Sequence, residues 1–288
     1  MTGGDESSVR MRCAQLAPVI GDLAGNAERI EREIARAVAD GVELLVLPEL
    51  ATSGYALSTG EARAAARRPD DAMFSRWAGM LGERLTVVLG FCEAGEEPGE
   101  EVATVYNSAL ILTPGTAPVA YRKLHLWDTE KLVFTPGSAP APVVETPFGG
   151  LGVCICYDLE FPEMPRSLAL RGADVIAVPT NWPLLARPAG EHAPEVVQAM
   201  AAARASGVAI ACCDRAGEER GIAWTEGTCI VGTDGWIAAE AGSGGADGGG
   251  PARADATIPL PAERRSISTR NHLFADRAPR HYDPRLTA

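Results

Sequence analysis

Short apolar runs alternate with amphipathic helical patterns along nearly the whole chain, and that alternation restricts the fold more than any other feature. MRCAQLA (11–17) reads as a strand, and NAERIEREIARAVADG (26–41) as a helix with Ile30, Ile34, Ala37 and Val38 on one face. VELLVLP (42–48) is a short buried strand ending in Pro48. Residues 70–84 predict a second helix capped by Asp70 or Asp71, followed by the strand LTVVLGFCE (85–93). ATVYNSALIL (103–112) and PVAYRK (118–123), separated only by TPGTA, predict a hairpin. LGVCICY (151–157), a helix through FPEMPRSLALRG, ADVIAVP (173–179), a helix over 194–206 and VAIACCD (208–214) continue the alternation.

GTCIVGTDGWIAAE and ARADATIPL predict a two-stranded ribbon around the turn TDG. The segment 241–250, AGSGGADGGG, is too rich in glycine to pack and predicts a flexible loop within that ribbon, with a domain linker as the other reading. Mixed βα units and hairpins together imply an α/β core of sheet with helices outside. One domain over 9–288 is expected, because single α/β domains commonly reach this size, with residues 1–8 as a polar, disordered tail.

The formal net charge of −12 argues against nucleic acid or an anionic membrane as partner, since both require concentrated Lys and Arg. No apolar run approaches the ~20 residues needed to cross a bilayer, and the first eight residues carry no signal pattern. A cytoplasmic location is therefore expected. Seven cysteines, mostly inside strand-like runs, do not suit a disulfide framework. With four histidines and no CxxC pair, no metal site is expected.

Three of the runs end in a reactive side chain: Glu49 after VELLVLP, Lys123 after VAYR, and Cys156 in LGVCICYDLEFPE. A thiol at a strand exit has rigid backing, an exposed tip and nearby backbone N–H groups for an oxyanion. The alternative is a small buried core residue, and alternation places Cys154 on the same face as Cys156. Glu49 reads as a general base whose pKa burial raises, or as a solvated loop residue. Lys123 reads as a fixed cation, or as a surface lysine at a strand edge.

LPELATSGY, YRKLHLWDTEKLVFTPG and GVCICYDLEFPEMPRSLALRGADVIAVPTNW closely resemble the three signature blocks of the nitrilase superfamily of carbon–nitrogen hydrolases. CCDRAGEERGIAWTEGTCIVGTDGW resembles a further block, so the likeness extends over nearly the whole chain. The resemblance implies a four-layer αββα sandwich, a Glu49–Lys123–Cys156 triad, no cofactor and association as a homodimer or higher homo-oligomer. It also implies a second glutamate after the lysine, best matched by Glu130, with nearby Asp128 structural. In the implied mechanism Cys156 attacks the carbonyl carbon, Glu49 moves the protons, and Lys123 with the Tyr157 N–H holds the oxyanion. Asn181 and Trp182, just past ADVIAVP, are expected to line the pocket. Tyr55 and Trp127 are further candidates, with wall packing as the alternative.

Within the family, true nitrilases usually follow the cysteine with Trp-Glu, whereas this chain has Tyr157 and Asp158. Carbamoyl-amino-acid hydrolases usually place arginines there, whereas this chain has Leu159, Glu160 and Phe161. With no fused synthetase domain expected, the resemblance implies an amidase acting on small linear carboxamides. An ω-amidase acting on a 2-oxo acid amide, a nitrilase, an N-carbamoyl hydrolase and a catalytically silent scaffold are the alternatives. The family's Arg-Ala-x-Glu-Asn is replaced here by Ala202, Ala203, Arg204, Ala205 and Ser206, which touches the packing of that helix and the dimer contact. The C-terminal segment 264–283 is expected to pack across that contact.

Overall fold

The Asp22 carboxylate accepts the Gly25 N–H and opens the first helix, α1 (Leu23–Ala39), by satisfying a donor that a first turn leaves unbonded. Ile30, Ile34 and Ala37 face inward from it, as their helical spacing predicts. The computed structural model describes residues 7–95, 104–242, 250–260, 263, 265–283 and 285. Around α1 the chain runs β1 (Ser7–Gln15), β2 (Leu44–Val46), α2 (Thr59–Ala65), α3 (Ala72–Ala78), β3 (Thr86–Ala94), β4 (Val105–Leu112) and β5 (Val119–Arg122). It continues through β6 (Val143–Thr146), β7 (Gly149–Val153), α4 (Glu163–Leu170), β8 (Val175–Pro179), α5 (Pro194–Ser206) and β9 (Ala209–Cys213). The remaining strands are β10 (Glu218–Glu219), β11 (Ile222–Ala223), β12 (Cys229–Val231), β13 (Ile237–Glu240), β14 (Ala252–Leu260), β15 (Ser266–Ser268) and β16 (Asn271–His272).

Two six-stranded sheets result, in the orders β14-β1-β2-β3-β4-β5 and β13-β12-β9-β8-β7-β6. Each has a parallel centre, β1-β2-β3 and β7-β8-β9, flanked by antiparallel strands. Val9, Met11, Leu44 and Val46 from the first sheet share one core with Val153, Val175 and Ala211 from the second. Leu45, Val87 and Leu89 point the other way, against Ile30, Ile34, Phe74 and Trp77 of α1 and α3. Burial on both faces is why these strands read as continuous apolar runs. Outside the second sheet, Leu168 of α4 and Val196, Ala199 and Ala203 of α5 join its core. The layers are therefore helix, sheet, sheet, helix: the αββα sandwich.

Several elements depart from expectation. β1 begins at Ser7, so Ser7 and Ser8 pair with Leu260 and Pro259 in the sheet rather than belonging to a tail. Residues 1–6 lie outside the described residues. Helix α3 stops at Ala78 because Gly79 caps it and Gly82 turns at φ 64°. Helix α2, whose Ser58 and Glu61 form a reciprocal capping box, was not expected. Nor was the hairpin of β6 and β7.

The TDG turn does join β12 to β13. ARADATIPL, however, does not complete that ribbon: as β14 it crosses to the other sheet and pairs with β1 along nine residues. Its Ala254, Ile258 and Leu260 enter the core between the sheets, a burial that a two-stranded ribbon does not supply. Residues 243–249 of the expected glycine-rich loop lie outside the described residues. The altered sequence around Ala202–Ser206 still forms helix to its end, closed by Gly207 in the left-handed region. The segment from Arg265 folds back beside α4: Arg265 donates to the carbonyls of Gly207 and Ala173, and Phe274 lies beneath the guanidinium groups of Arg166 and Arg265.

Candidate active site

Glu49 sits in a tight turn directly after β2. Gly90 N–H on β3 donates to the Pro48 carbonyl, and a Cβ at Gly90 would stand 2.1 Å from Leu50 N and 2.5 Å from Glu49 Cα. Only glycine permits that approach. Leu50 follows at φ 50°, a conformation held by the surrounding packing. Lys123 follows β5, where its N–H donates to the Asn107 carbonyl and its own carbonyl accepts from Gly137. Glu130 lies in a 3-10 turn over Asp128–Leu132, and its carboxylate accepts the Trp127 N–H.

These loops bring one ammonium between two carboxylates. Lys123 Nζ donates to Glu49 Oε1 at 2.7 Å and to Glu130 Oε1 and Oε2 at 2.8 and 2.9 Å. Lys123 is completely buried, and Glu49 and Glu130 nearly so. Asn107 Nδ2 also donates to Glu49 Oε1 at 2.8 Å, while Glu49 Oε2 has no partner among the described residues. Tyr55 Oη donates to Glu130 Oε1 at 2.5 Å.

β7 ends at Val153, so Cys156 is not on its face with Cys154, contrary to the alternation read in the sequence. Cys156 instead opens a 3-10 turn at φ 47°, in the left-handed region that an L-residue occupies only when its neighbours impose it. Asp158 imposes the turn: its carboxylate accepts the Ile155 N–H, the Tyr121 hydroxyl and the His125 N–H, and pairs with His125 Nδ1 at 2.7 Å. Asn181, past β8, locks the second sheet to the Glu49 turn through Nδ2, which donates to the Glu49 carbonyl at 2.8 Å.

The electrostatics follow from this burial. Desolvation lifts Glu49 to about 7; Lys123 pulls it down, Glu130 pushes it up, and Asn107 holds it down. Burial alone would strip the Lys123 proton, but Glu130 and Glu49 outweigh it and hold the ammonium well above the ordinary lysine range. Burial and the neighbouring Glu49 push the Cys156 thiol well up, against the pull of Lys123. At neutral pH the site therefore holds a neutral thiol, an ammonium and a carboxylate poised to change protonation.

Cys156, Tyr157, Trp127, Asn181 and Trp182 line one cleft. Tyr55 lies off this cleft, behind Glu130, where it also packs edge-on against Trp224 at 5.3 Å. Asn181, expected to line the pocket, does so with its Oδ1 buried and without a partner among the described residues, whereas Asn107 and Asp158 were not assigned these positions from the sequence. Nor was Asp214, which accepts the N–H groups of Trp182, Arg215 and Gly227 and which burial lifts to about 7. Polar residues inside an apolar run, such as Asn107 in ATVYNSALIL, were the available signal. Among the described residues, no helix is long and apolar enough to cross a membrane.

Known proteins resemble this chain in sequence and fold. The carbon–nitrogen hydrolase family matches residues 10–248. A probable nitrilase of Schizosaccharomyces pombe is 34% identical over 59% of this chain, and the chain spans 62% of that relative's length. A nitrilase of Pyrococcus abyssi is 35% identical over 74% of this chain and 78% of its own. The NitN amidase of Nesterenkonia sp. AN1 superimposes with a TM-score of 0.73 at 27% identity, covering 94% of this chain and 97% of that one. A glutamate-to-leucine variant of the amidase from that organism shows covalent addition of the acetamide moiety of fluoroacetamide at the active site cysteine. With a family match over most of its length, this chain belongs to the carbon–nitrogen hydrolases of the nitrilase superfamily.

Proposed function

We propose that the protein hydrolyses small linear carboxamides to carboxylate and ammonia through a thioester on Cys156. The observation that carries this reading is the unpartnered Oε2 of Glu49, in a carboxylate whose other oxygen is fixed by Lys123 and Asn107. That oxygen is free to accept the thiol proton, and a base titrating near neutrality is suited to both taking and returning it.

In this mechanism Cys156 Sγ bonds to the amide carbon while its proton passes to Glu49. The Lys123 ammonium and the Tyr157 N–H hold the oxyanion, and the bidentate contact to Glu130 can be served by a single Lys123 donor, leaving another for the substrate. Glu49 returns the proton to the departing ammonia. It then takes a proton from water, whose oxygen attacks the thioester and releases carboxylate and thiol. Asn181 Oδ1, buried and unpaired beside the cleft, is suited to accept an amide N–H. Tyr55 and Glu130 position Lys123.

Tyr157 and Asp158 after the nucleophile support an amidase over a nitrilase, and the Asp158 carboxylate is fully occupied in shaping the turn. The same reading places the protein in the cytoplasm as a homodimer formed through the outer face of α4 and α5, where Leu170 is exposed. Measuring ammonia release from a carboxamide series tests the reaction. Activity is expected in the wild type and none in a folded Cys156→Ala variant; full activity in that variant overturns it. Sedimentation of the purified protein tests the dimer.

A further inference from the structure

The cleft beside Cys156 is acidic. Glu160, four residues after the nucleophile, and Glu195, in the first turn of α5, line it together with Trp127, Tyr157 and Trp182. Among the described residues that line it, none is basic. Glu195 is only 8% exposed, and its Oε2 is buried without a hydrogen-bond partner. An unsatisfied carboxylate oxygen costs free energy wherever water cannot reach it, so a site that keeps one commonly has a ligand to meet it. Trp127 and Tyr157 stand edge to face at 4.9 Å beside it, and aromatic faces attract cations.

We infer that Glu160 and Glu195 form a subsite for a positively charged group, so that the preferred substrates are short carboxamides whose acyl chain ends in an ammonium or guanidinium. The inference rests on the amidase reading above and extends it to a substrate class. Burial and the neighbouring Glu195 raise the Glu160 carboxyl, which is the repulsion that a bound cation relieves. A substrate carboxylate in the same place would face two carboxylates and no cation. An amide of a 2-oxo dicarboxylic acid, expected from sequence as one alternative, is therefore disfavoured.

Three near-isosteric amides test this at pH 8: 4-aminobutyramide, pentanamide and 4-carbamoylbutyrate, which end in an ammonium, a methyl and a carboxylate. The expected kcat/KM falls in that order, with the ammonium favoured over the methyl by about tenfold to a hundredfold, the range of a charge-assisted hydrogen bond. Glu195→Gln and Glu160→Gln are each expected to shrink this ratio several-fold. Equal kcat/KM for 4-aminobutyramide and pentanamide, or a ratio unchanged in both folded variants, overturns the subsite. Where a variant does not fold, calorimetric titration of the wild type decides: n-butylammonium is expected to bind and butyrate not to bind, and the reverse overturns the proposal. Failure to hydrolyse any of the three amides counts against the amidase reading, and the same titration then judges the subsite by itself.

Discussion

Lys123 Nζ holds Glu49 Oε1 at 2.7 Å and leaves Glu49 Oε2 open. The buried carboxylate is thereby divided into an anchored oxygen and an unpartnered one, the oxygen proposed to act as base. Replacing Glu49 by Gln keeps the shape of the side chain and removes the base. The expected result is a fall in kcat of about 10²–10⁴, the usual span for general acid–base catalysis, in a protein that still folds. Steady-state ammonia release together with circular dichroism checks both parts.

The protonation of Glu49 also sets a pH dependence. Its carboxyl is raised from 4.5 to about 7, and in the proposed mechanism only the charged form accepts the thiol proton. The profile of kcat/KM is therefore expected to rise with pH through about 7. Lys123 and Cys156 are both pushed well above their ordinary values, so no alkaline fall is expected just beyond neutrality. For stability the sign is opposite. Between 4.5 and about 7 the folded chain keeps a proton that the unfolded chain has released. The contribution of Glu49 is full below 4.5 and is lost as pH rises through about 7. Glu49→Gln is expected to lack this slope in a series of unfolding midpoints against pH.

Lys123→Met removes the ammonium that pairs with both Glu49 and Glu130. Breaking a buried pair from one side typically costs about 3–5 kcal/mol, because an uncompensated charge stays behind. Without the ammonium, Glu49 loses the charge that pulls its carboxyl down and keeps Glu130 as a like-charged neighbour, so its carboxyl rises further. The destabilisation is then expected to be smallest in acid and to grow as pH rises past neutrality. Urea unfolding at pH 5 and pH 8 measures the difference, and an equal loss at both values contradicts the prediction.

The layered fold was legible because its signals are local. A strand buried on both faces must be apolar throughout, as VELLVLP and ADVIAVP are, and α1 carries its apolar face at helical spacing. The partner of a strand is not a local property, which is why ARADATIPL was assigned to the neighbouring ribbon when it pairs with β1, more than 230 residues away in sequence. The meeting of Glu49, Lys123 and Glu130 was legible from strand exits and the family resemblance. The support of the Cys156 turn was not. Asp158 reads as one polar residue in a turn, and only the folded chain gathers Tyr121, His125 and Ile155 around it. Strain at Cys156 was hidden for a related reason, since nothing in LGVCICY distinguishes a strand that runs to its end from one that breaks at Val153.

Gly90 is the position where a single methyl group should separate fold from function. It lies within β3, where glycine ordinarily weakens a strand, yet its missing Cβ is the space through which the Glu49 turn passes. In Gly90→Ala the new carbon meets backbone, Leu50 N at 2.1 Å and Glu49 Cα at 2.5 Å, so no side chain can swing aside to accept it. Either the turn or the strand must move. Overpacking of this kind costs about 1–3 kcal/mol, small enough for the two-sheet core to survive. Displacing the base by about 1 Å, however, typically costs on the order of 10² in rate. The expected variant is folded, modestly less stable and nearly inactive, with the thiol at Cys156 still present by mass. Thermal unfolding and ammonia release measured on the same sample test this; wild-type turnover in a folded Gly90→Ala protein would show that the Glu49 turn does not depend on this contact.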